Sequence, residues 1–430
     1  MVRPRSINKE KAAARRRAKT PASVRRGGKL SNTESPLDGK KSVEAELLPK
    51  KSRRMSGTRI VVSWIMTIYA LCMFFFTQHI GNNITNFVVQ IVCYKELVSI
   101  GFDAKKEEEL QTFKYFYFYW AAVAVLFVWG TIFRDQWHRS GYTNITGFDD
   151  SLPPLEFCIY CLYIGGLIFL VFSLQKREHY KYQLQQFAFT QLALLATIGQ
   201  GCCAIAVQYR AGLFFALISL NLVVCNDCFA YIFGKKFGKT PLIGLSPNKT
   251  WEGFLGAMIA TFIDAILFSR FLTDPSYDPL YQLGFISKPF LQPIMTCKPQ
   301  GIVGTSFSLT IPECDVLDIY QPRPVCDDNY PMLSRFLSFL PGGFDAMVCQ
   351  NITWSSIQTH SVILAAFASL IAPFYGFIGS AVKRAAGVKD FGNLFPGHGG
   401  MTDRFDCNFG MVVFTYFYVL FILGPQVLEQ

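Results

Sequence analysis

Charge is scarce in most of this chain. Only 17% of its 430 residues are charged, while 51% are hydrophobic and 15% aromatic. That balance is too apolar for a string of soluble domains. Short segments of alternating polar and apolar residues are missing, which excludes a transmembrane barrel. The thirteen cysteines hold no zinc pattern. Cys158/Cys161 and Cys225/Cys228 have C-x-x-C spacing but lie in apolar runs, where they read as small packing residues, and no second pair or His pair completes a metal set. No leader-type apolar core occurs in the first 30 residues, so no cleavable signal peptide is expected. Cationic strips interleaved with aromatics are absent from the body, so no nucleic-acid partner is expected.

What the chain has instead is apolar blocks of roughly 20 residues, each long enough for a bilayer core of about 30 Å. The expected fold is an all-α polytopic integral membrane protein with about nine transmembrane helices. They are placed at 59–79, 82–103, 113–133, 154–174, 186–206, 212–234, 251–272, 359–382 and 408–428. The span at 82–103 is interrupted by Lys95 and Glu96, adjacent residues that point in different directions on a helix. They either line a polar cavity or make separate structural pairs, and Asp264 in the seventh span has a similar status.

The net charge of +11 is a property of one end. Residues 1–58 carry 17 Lys/Arg against five Asp/Glu, and the remainder is close to neutral. This segment reads as a disordered basic cytosolic tail, either touching anionic lipid or simply solvated. The transmembrane catalytic domain is then 59–430. With the tail in the cytosol, the cytosolic short loops hold 13 Lys/Arg and the opposite ones three, as the positive-inside rule requires. The long 273–355 segment then lies in the lumen. It contains Cys297, Cys314, Cys326 and Cys349, which allow disulfides in an oxidising compartment. Asn144-Ile-Thr146 and Asn351-Ile-Thr353 are luminal acceptor patterns; Asn248-Lys-Thr250 matches the same pattern on the cytosolic face.

Two charged islands stand out. The first, 380–406, SAVKRAAGVKDFGNLFPGHGGMTDRFD, packs Lys383, Arg384, Lys389, His398 and Arg404 with Asp390, Asp403 and Asp406. Charge beside hydrocarbon is costly and marks a functional site by default. Cations hold phosphates, carboxylates hold Mg²⁺, and glycines admit close backbone approach. Metal-assisted chemistry on a phosphorylated substrate at a membrane surface follows. The second island runs from Asn226 and Asp227 through Lys235, Lys236 and Lys239 to Ser246, Lys249 and Thr250. Ser246-Pro247 reads as a helix start, and Thr250 as another. A helix N-terminus beside Lys249 makes an anion site suited to a triphosphate. Lysines ending a span also serve as anchors. Asp227 is harder to explain that way, since a carboxylate inside a membrane helix needs a partner.

The first island reads S-x-x-K-R-x(4)-K-D, then P-G-H-G-G-x-x-D-R-x-D, through Ser380, Lys383, Arg384, Lys389, Asp390, Pro396, Gly397, His398, Gly399, Gly400, Asp403, Arg404 and Asp406. These 13 fixed positions, with NDCFAY, FGKT and SPNKTWEG in the second island and FCIYCLY at 157–163, resemble the CDP-diacylglycerol synthases of eukaryotic type. The resemblance covers roughly 59–428. It implies transfer of CMP from CTP to phosphatidate, giving CDP-diacylglycerol and pyrophosphate with Mg²⁺, by a dimeric enzyme of the endoplasmic reticulum membrane.

On that reading Asp403 and Asp406, three apart, share a helix face and reach a metal, with Asp390 and Asp227 as further ligands. Lys383, Arg384, Lys389 and Arg404 clamp phosphates. Asn226, Ser246, Lys249 and Thr250 bind substrate. His398 sits in a glycine-shaped pocket or is a turn residue. Lys389, Asp390 and His398 join Asp403 and Asp406 as candidate catalytic groups. No serine–histidine pairing suggests a covalent nucleophile. The competing readings are a membrane lipid or polyprenol kinase, a transporter, and a lipid-binding scaffold with a dead site. The transporter is disfavoured because the charges cluster at one face and no inverted repeat is visible.

Overall fold

The computed structural model of the chain describes residues 78–101, 110, 115–130, 155–243, 246–297, 314–324, 353–395 and 399–424, with Ile65, Ile68, Tyr69 and Cys72. The tail, most of the first expected span, Asn144, Asn351, Cys326, Cys349, Pro396, Gly397 and His398 lie outside these residues.

Among the described residues, helices with defined bounds cover eight of the nine expected positions. The first is α1 (Gln78–Ile100). Next comes α2 (Phe116–Val125), continued by a π-helical turn at Leu126–Gly130. α3 is Leu155–Ser173. α4 (Tyr180–Leu194) runs through a second π-helical turn, Leu195–Gly199, into α5 (Gln200–Ala211). α6 is Leu213–Phe237 and α7 is Trp251–Thr273. α8 (Ser356–Leu370) and α9 (Ala372–Ala385) fill the expected 359–382 span, and α10 is Thr402–Phe421. Among the described residues, five helical segments are long and apolar enough to cross a membrane: α3, α4–α5, α6, α7 and α8–α9. The ring of exposed apolar side chains, including Phe157, Tyr160, Val171 and Phe172 on α3, fits contact with lipid.

Two cores hold the helices. One gathers Phe214, Phe215, Ile218 and Leu222 of α6 with Leu364 and Ala365 of α8 and Met411 and Val419 of α10. The other packs Phe116 and Trp120 of α2 against Tyr94 of α1, Leu170 of α3 and Ile198 and Ile205 of α4–α5. Several polar side chains within the helices find partners inside the protein. Ser219 pairs with Thr415 at 2.8 Å, and Asn221 donates to Asp264 at 2.6 Å. Asp264 is thus held by an amide of α6.

Two local features differ from the sequence expectation. The 359–382 span is broken at Ile371, because Pro373 lacks the N–H needed to continue a helix. Ser246-Pro247 does not start a helix. Ser246–Thr250 is strand β2, paired antiparallel with β1 (Pro241–Ile243), and the helix start is Thr250, whose hydroxyl accepts from Gly253 N–H at 3.2 Å. The described residues of the 273–355 segment include one of the disulfides its cysteines allow. The short helix Leu291–Thr296 leads to a Cys297–Cys314 disulfide, and β3 (Arg323–Pro324) pairs with β4 (Thr353–Trp354). This layer sits under the α5–α6 joint. Gly212 there has φ +80°, and a Cβ would lie 2.7 Å from Met295 O, so only glycine serves.

Candidate active site

The second island is built by a tight helical hairpin. α6 ends at Gly238, and the chain returns through β1 and β2 into α7. Glu252, in the first turn of α7, accepts hydrogen bonds from Lys239 N–H at 3.1 Å and Thr240 N–H at 3.2 Å, and from the Thr240 hydroxyl at 2.9 Å. Trp251 N–H closes on Thr240 O at 3.0 Å. Lys249, near the end of β2, is therefore presented from a stitched hairpin and not from a free loop. Its Nζ lies 4.6 Å from the centre of the Phe377 ring of α9.

That contact joins the two islands. Lys249, Asp406 and Arg404 are the charges acting most strongly on Asp227, which stands exposed on α6. Lys383 and Lys249 in turn act on Asp406, which is half-buried on α10 and accepts from Cys407 N–H at 2.8 Å. Asp227, Asp406, Lys249, Lys383 and Arg404, drawn from α6, β2, α9 and α10, thus form one charged cluster. Opposed carboxylates and cations crowded this way are costly near hydrocarbon unless a ligand uses them.

Asp403, the other α10 carboxylate, has a different environment. Its Oδ1 accepts from Lys383 Nζ at 2.6 Å, and its Oδ2 accepts from Phe391 N–H at 2.8 Å and Gly400 N–H at 2.9 Å. The two side chains of the ion pair are only 11% and 3% exposed. Oδ1 is thus spent on Lys383 of α9, and Oδ2 on tying Phe391 and Gly400 to α10. Gly399 makes this possible: its φ is +83°, and a Cβ there would lie 2.8 Å from Asp403 Oδ2. The i, i+3 spacing that put Asp403 and Asp406 on one helix face holds, but the two acids have different partners.

Asp390 is exposed and borders Gly399, and Lys389 beside it is exposed. Arg384 is exposed and donates to Val388 O at 3.3 Å, near the end of α9. Asn226 is buried, next to Asp227 in sequence, and accepts from the Thr261 hydroxyl at 3.5 Å. Ser246 is half-buried in β2, and Thr250 caps α7. Among the described residues, no three His, Cys, Asp or Glu side chains converge into a ready-made metal cage.

One residue of the site is not assigned a role by its sequence pattern. Glu96 of α1 accepts from Met401 N–H at 2.9 Å and Thr402 N–H at 2.8 Å, at the start of α10. Its only sequence signal is a charge in an otherwise apolar span. Of the two readings left open for the Lys95–Glu96 pair, the structural partnership is the one seen for Glu96, and Lys95 is exposed.

A sequence profile described as the cytidylyltransferase family matches residues 57–422. "Phosphatidate cytidylyltransferase 3" of Arabidopsis thaliana is 36% identical over 335 residues, spanning 77% of this chain and 64% of that protein. "Phosphatidate cytidylyltransferase 1" of Rattus norvegicus is 32% identical over 380 residues, 85% of this chain and 74% of that one. "Phosphatidate cytidylyltransferase 1" of Arabidopsis thaliana is 32% identical over 414 residues, 95% and 89%. The chain therefore spans just under two thirds of the first of these relatives and more of the others.

Proposed function

This chain belongs to the cytidylyltransferase family, and from that premise we propose that its charged cluster forms a recess that transfers CMP from CTP to phosphatidate, yielding CDP-diacylglycerol and pyrophosphate for phospholipid synthesis. The observation that carries this reading is the contact of Lys249 Nζ with the Phe377 ring at 4.6 Å, which sets the second island against the helix that carries Lys383. A phosphatidate phosphate oxygen bonds to the α-phosphorus of CTP while the bond to the β-phosphate oxygen breaks. Two polyanions must approach each other, so charge neutralisation and positioning are the main demands.

The residues divide these demands. Lys249 and Arg404 face Asp227 from opposite islands and hold phosphate oxygens, the arginine by its fork. Lys383 is shared between Asp403 and the field at Asp406. Asp403 keeps the 386–400 loop closed. Arg384, Lys389 and Asp390 stand exposed at the rim, where they meet the headgroup side of the substrate. Asn226 and Thr250 support the wall from behind.

The donor set fits Mg²⁺, which binds through one or two carboxylates plus substrate phosphates in preference to an all-protein cage. Asp227 and Asp406 are the carboxylates to hold it, with Asp390 nearby. Asp403 belongs to the same set by sequence, but its oxygens are already engaged. When bound, the ion supplies neutralisation of phosphate charge. Purified protein given Mg²⁺, phosphatidate and CTP labelled in the cytosine ring is expected to put label into lipid. Unlabelled lipid alongside CTP-dependent lipid phosphorylation would favour the kinase reading instead.

The full nine-span arrangement, with the recess cytosolic in the endoplasmic reticulum membrane, is part of the proposal. Support comes from the ends of α6. Leu213 adjoins Gly212, which packs on the disulfide-bearing layer, while Phe237 leads into the Lys249 hairpin. At 1.5 Å per residue its 25 residues separate these ends by about 37 Å, enough to cross a bilayer core. A disulfide suits the oxidising side, leaving the recess on the other. In sealed reticulum vesicles, Lys249→Cys and Arg404→Cys are both expected to add labelling by an impermeant maleimide above the parent background. Addition by only one of them would end the single-recess proposal. A homodimer is proposed on the resemblance, and light scattering of the detergent-solubilised protein decides it.

A further inference from the structure

Glu96 of α1 stands apart from the other charged side chains. It is a carboxylate on a span that is otherwise nearly uncharged, and its acceptors are spent on backbone. Its two oxygens take Met401 N–H and Thr402 N–H at 2.9 and 2.8 Å, across 305 and 306 residues of sequence. These are orphan amides of the opening turn of α10, the helix that carries Asp403, Arg404 and Asp406. The loop is shaped around this carboxylate. A Cβ on Gly392 would lie 2.5 Å from Glu96 Oε1, and one on Gly400 would lie 2.5 Å from Oε2. The Thr402 hydroxyl adds a contact to Cys93 O at 3.4 Å, one turn back on α1.

We propose that Glu96 is a positioning residue for the transfer reaction: it clamps the first turn of α10 to α1 and so fixes Arg404 and Asp406 against Lys249 and Asp227. A negative charge at a helix N-terminus is favoured by the helix dipole, and here the protein supplies that charge itself. The consequence for substrate is specific. The α10 N-terminus is filled, so it is closed to the triphosphate, and substrate phosphates are directed to the side-chain cations of the recess. The inference rests on the reading of the α10 carboxylate Asp406 as part of the reacting site.

Glu96→Gln is the test. It keeps the shape and one carbonyl acceptor but sets an NH₂ against one of the two amides. In the purified full chain, kcat for CTP-dependent transfer is expected to fall by about 10–100-fold, the range for loss of a supporting contact. KM for CTP changes little, the Mg²⁺ concentration for half-maximal rate rises, and hydrogen exchange rises in peptides covering 399–405. Gly400→Ala, which pushes the carboxylate away, should reproduce this pattern and be non-additive with Glu96→Gln. If Glu96→Gln does not accumulate as folded protein, Glu96→Asp and Gly400→Ala supply the same comparison. Unchanged kcat per folded enzyme with a lowered melting temperature would make Glu96 a mere brace and overturn the inference, as would unchanged exchange at 399–405. A wild-type protein without transferase activity would refute the reaction assigned above, and the exchange measurement would then decide the clamp by itself.

Discussion

Asp406→Asn is expected to lower CTP-dependent formation of labelled lipid by about 10²–10³-fold, the scale for losing one group that stabilises charge in a reacting site. The protein should remain folded. Asn keeps the volume and a carbonyl oxygen that can accept from Cys407 N–H, as Asp406 does. What disappears is the negative charge between Lys383, Lys249 and Asp227. The measurement is initial rate against Mg²⁺ concentration, beside a melting curve in detergent. A variant with wild-type rate at every Mg²⁺ concentration would remove Asp406 from the metal and phosphate chemistry.

Asp403→Asn should behave differently. Its carboxylate neutralises Lys383 in a nearly closed environment, and breaking one partner of a buried pair costs about 3–5 kcal/mol. It also accepts two backbone N–H groups of the 386–400 loop. The variant is therefore expected to lose thermal stability and activity together, so the expectation of an intact fold applies to Asp406→Asn and not here. Pairing it with Lys383→Met removes the stranded ammonium. The double variant should regain much of the melting temperature but none of the activity. Additive losses in the double variant would show that the pair is not the source of the cost.

Much of this architecture is legible in the sequence, for identifiable reasons. α6 and α7 declare themselves by apolar runs ending in lysines or opening on Thr250, because burial in hydrocarbon leaves little choice of side chain. Counting basic residues by loop assigns both islands to one side, whereas their contact, Lys249 on Phe377, is a matter of packing that the count does not reach. The hairpin was harder: Ser-Pro is a good helix start locally, but Pro241–Ile243 pairs with it, and a pairing partner overrides local preference. The separate environments of Asp403 and Asp406 are not written in their spacing, because what distinguishes them is loop backbone arriving from 391 and 400. Glu96 is the extreme case. Its partners are main-chain amides, which carry no residue identity, so no motif marks them.

The hairpin between α6 and α7 bears on how the protein is handled. Surface connections normally accept epitopes and affinity handles, and 239–252 looks like such a connection on hydropathy alone. Glu252 ties it at Lys239 and Thr240, so added residues there would carry Lys249 off its perch over Phe377. A preparation tagged within that stretch would be inactive through displacement of a lysine that is chemically intact.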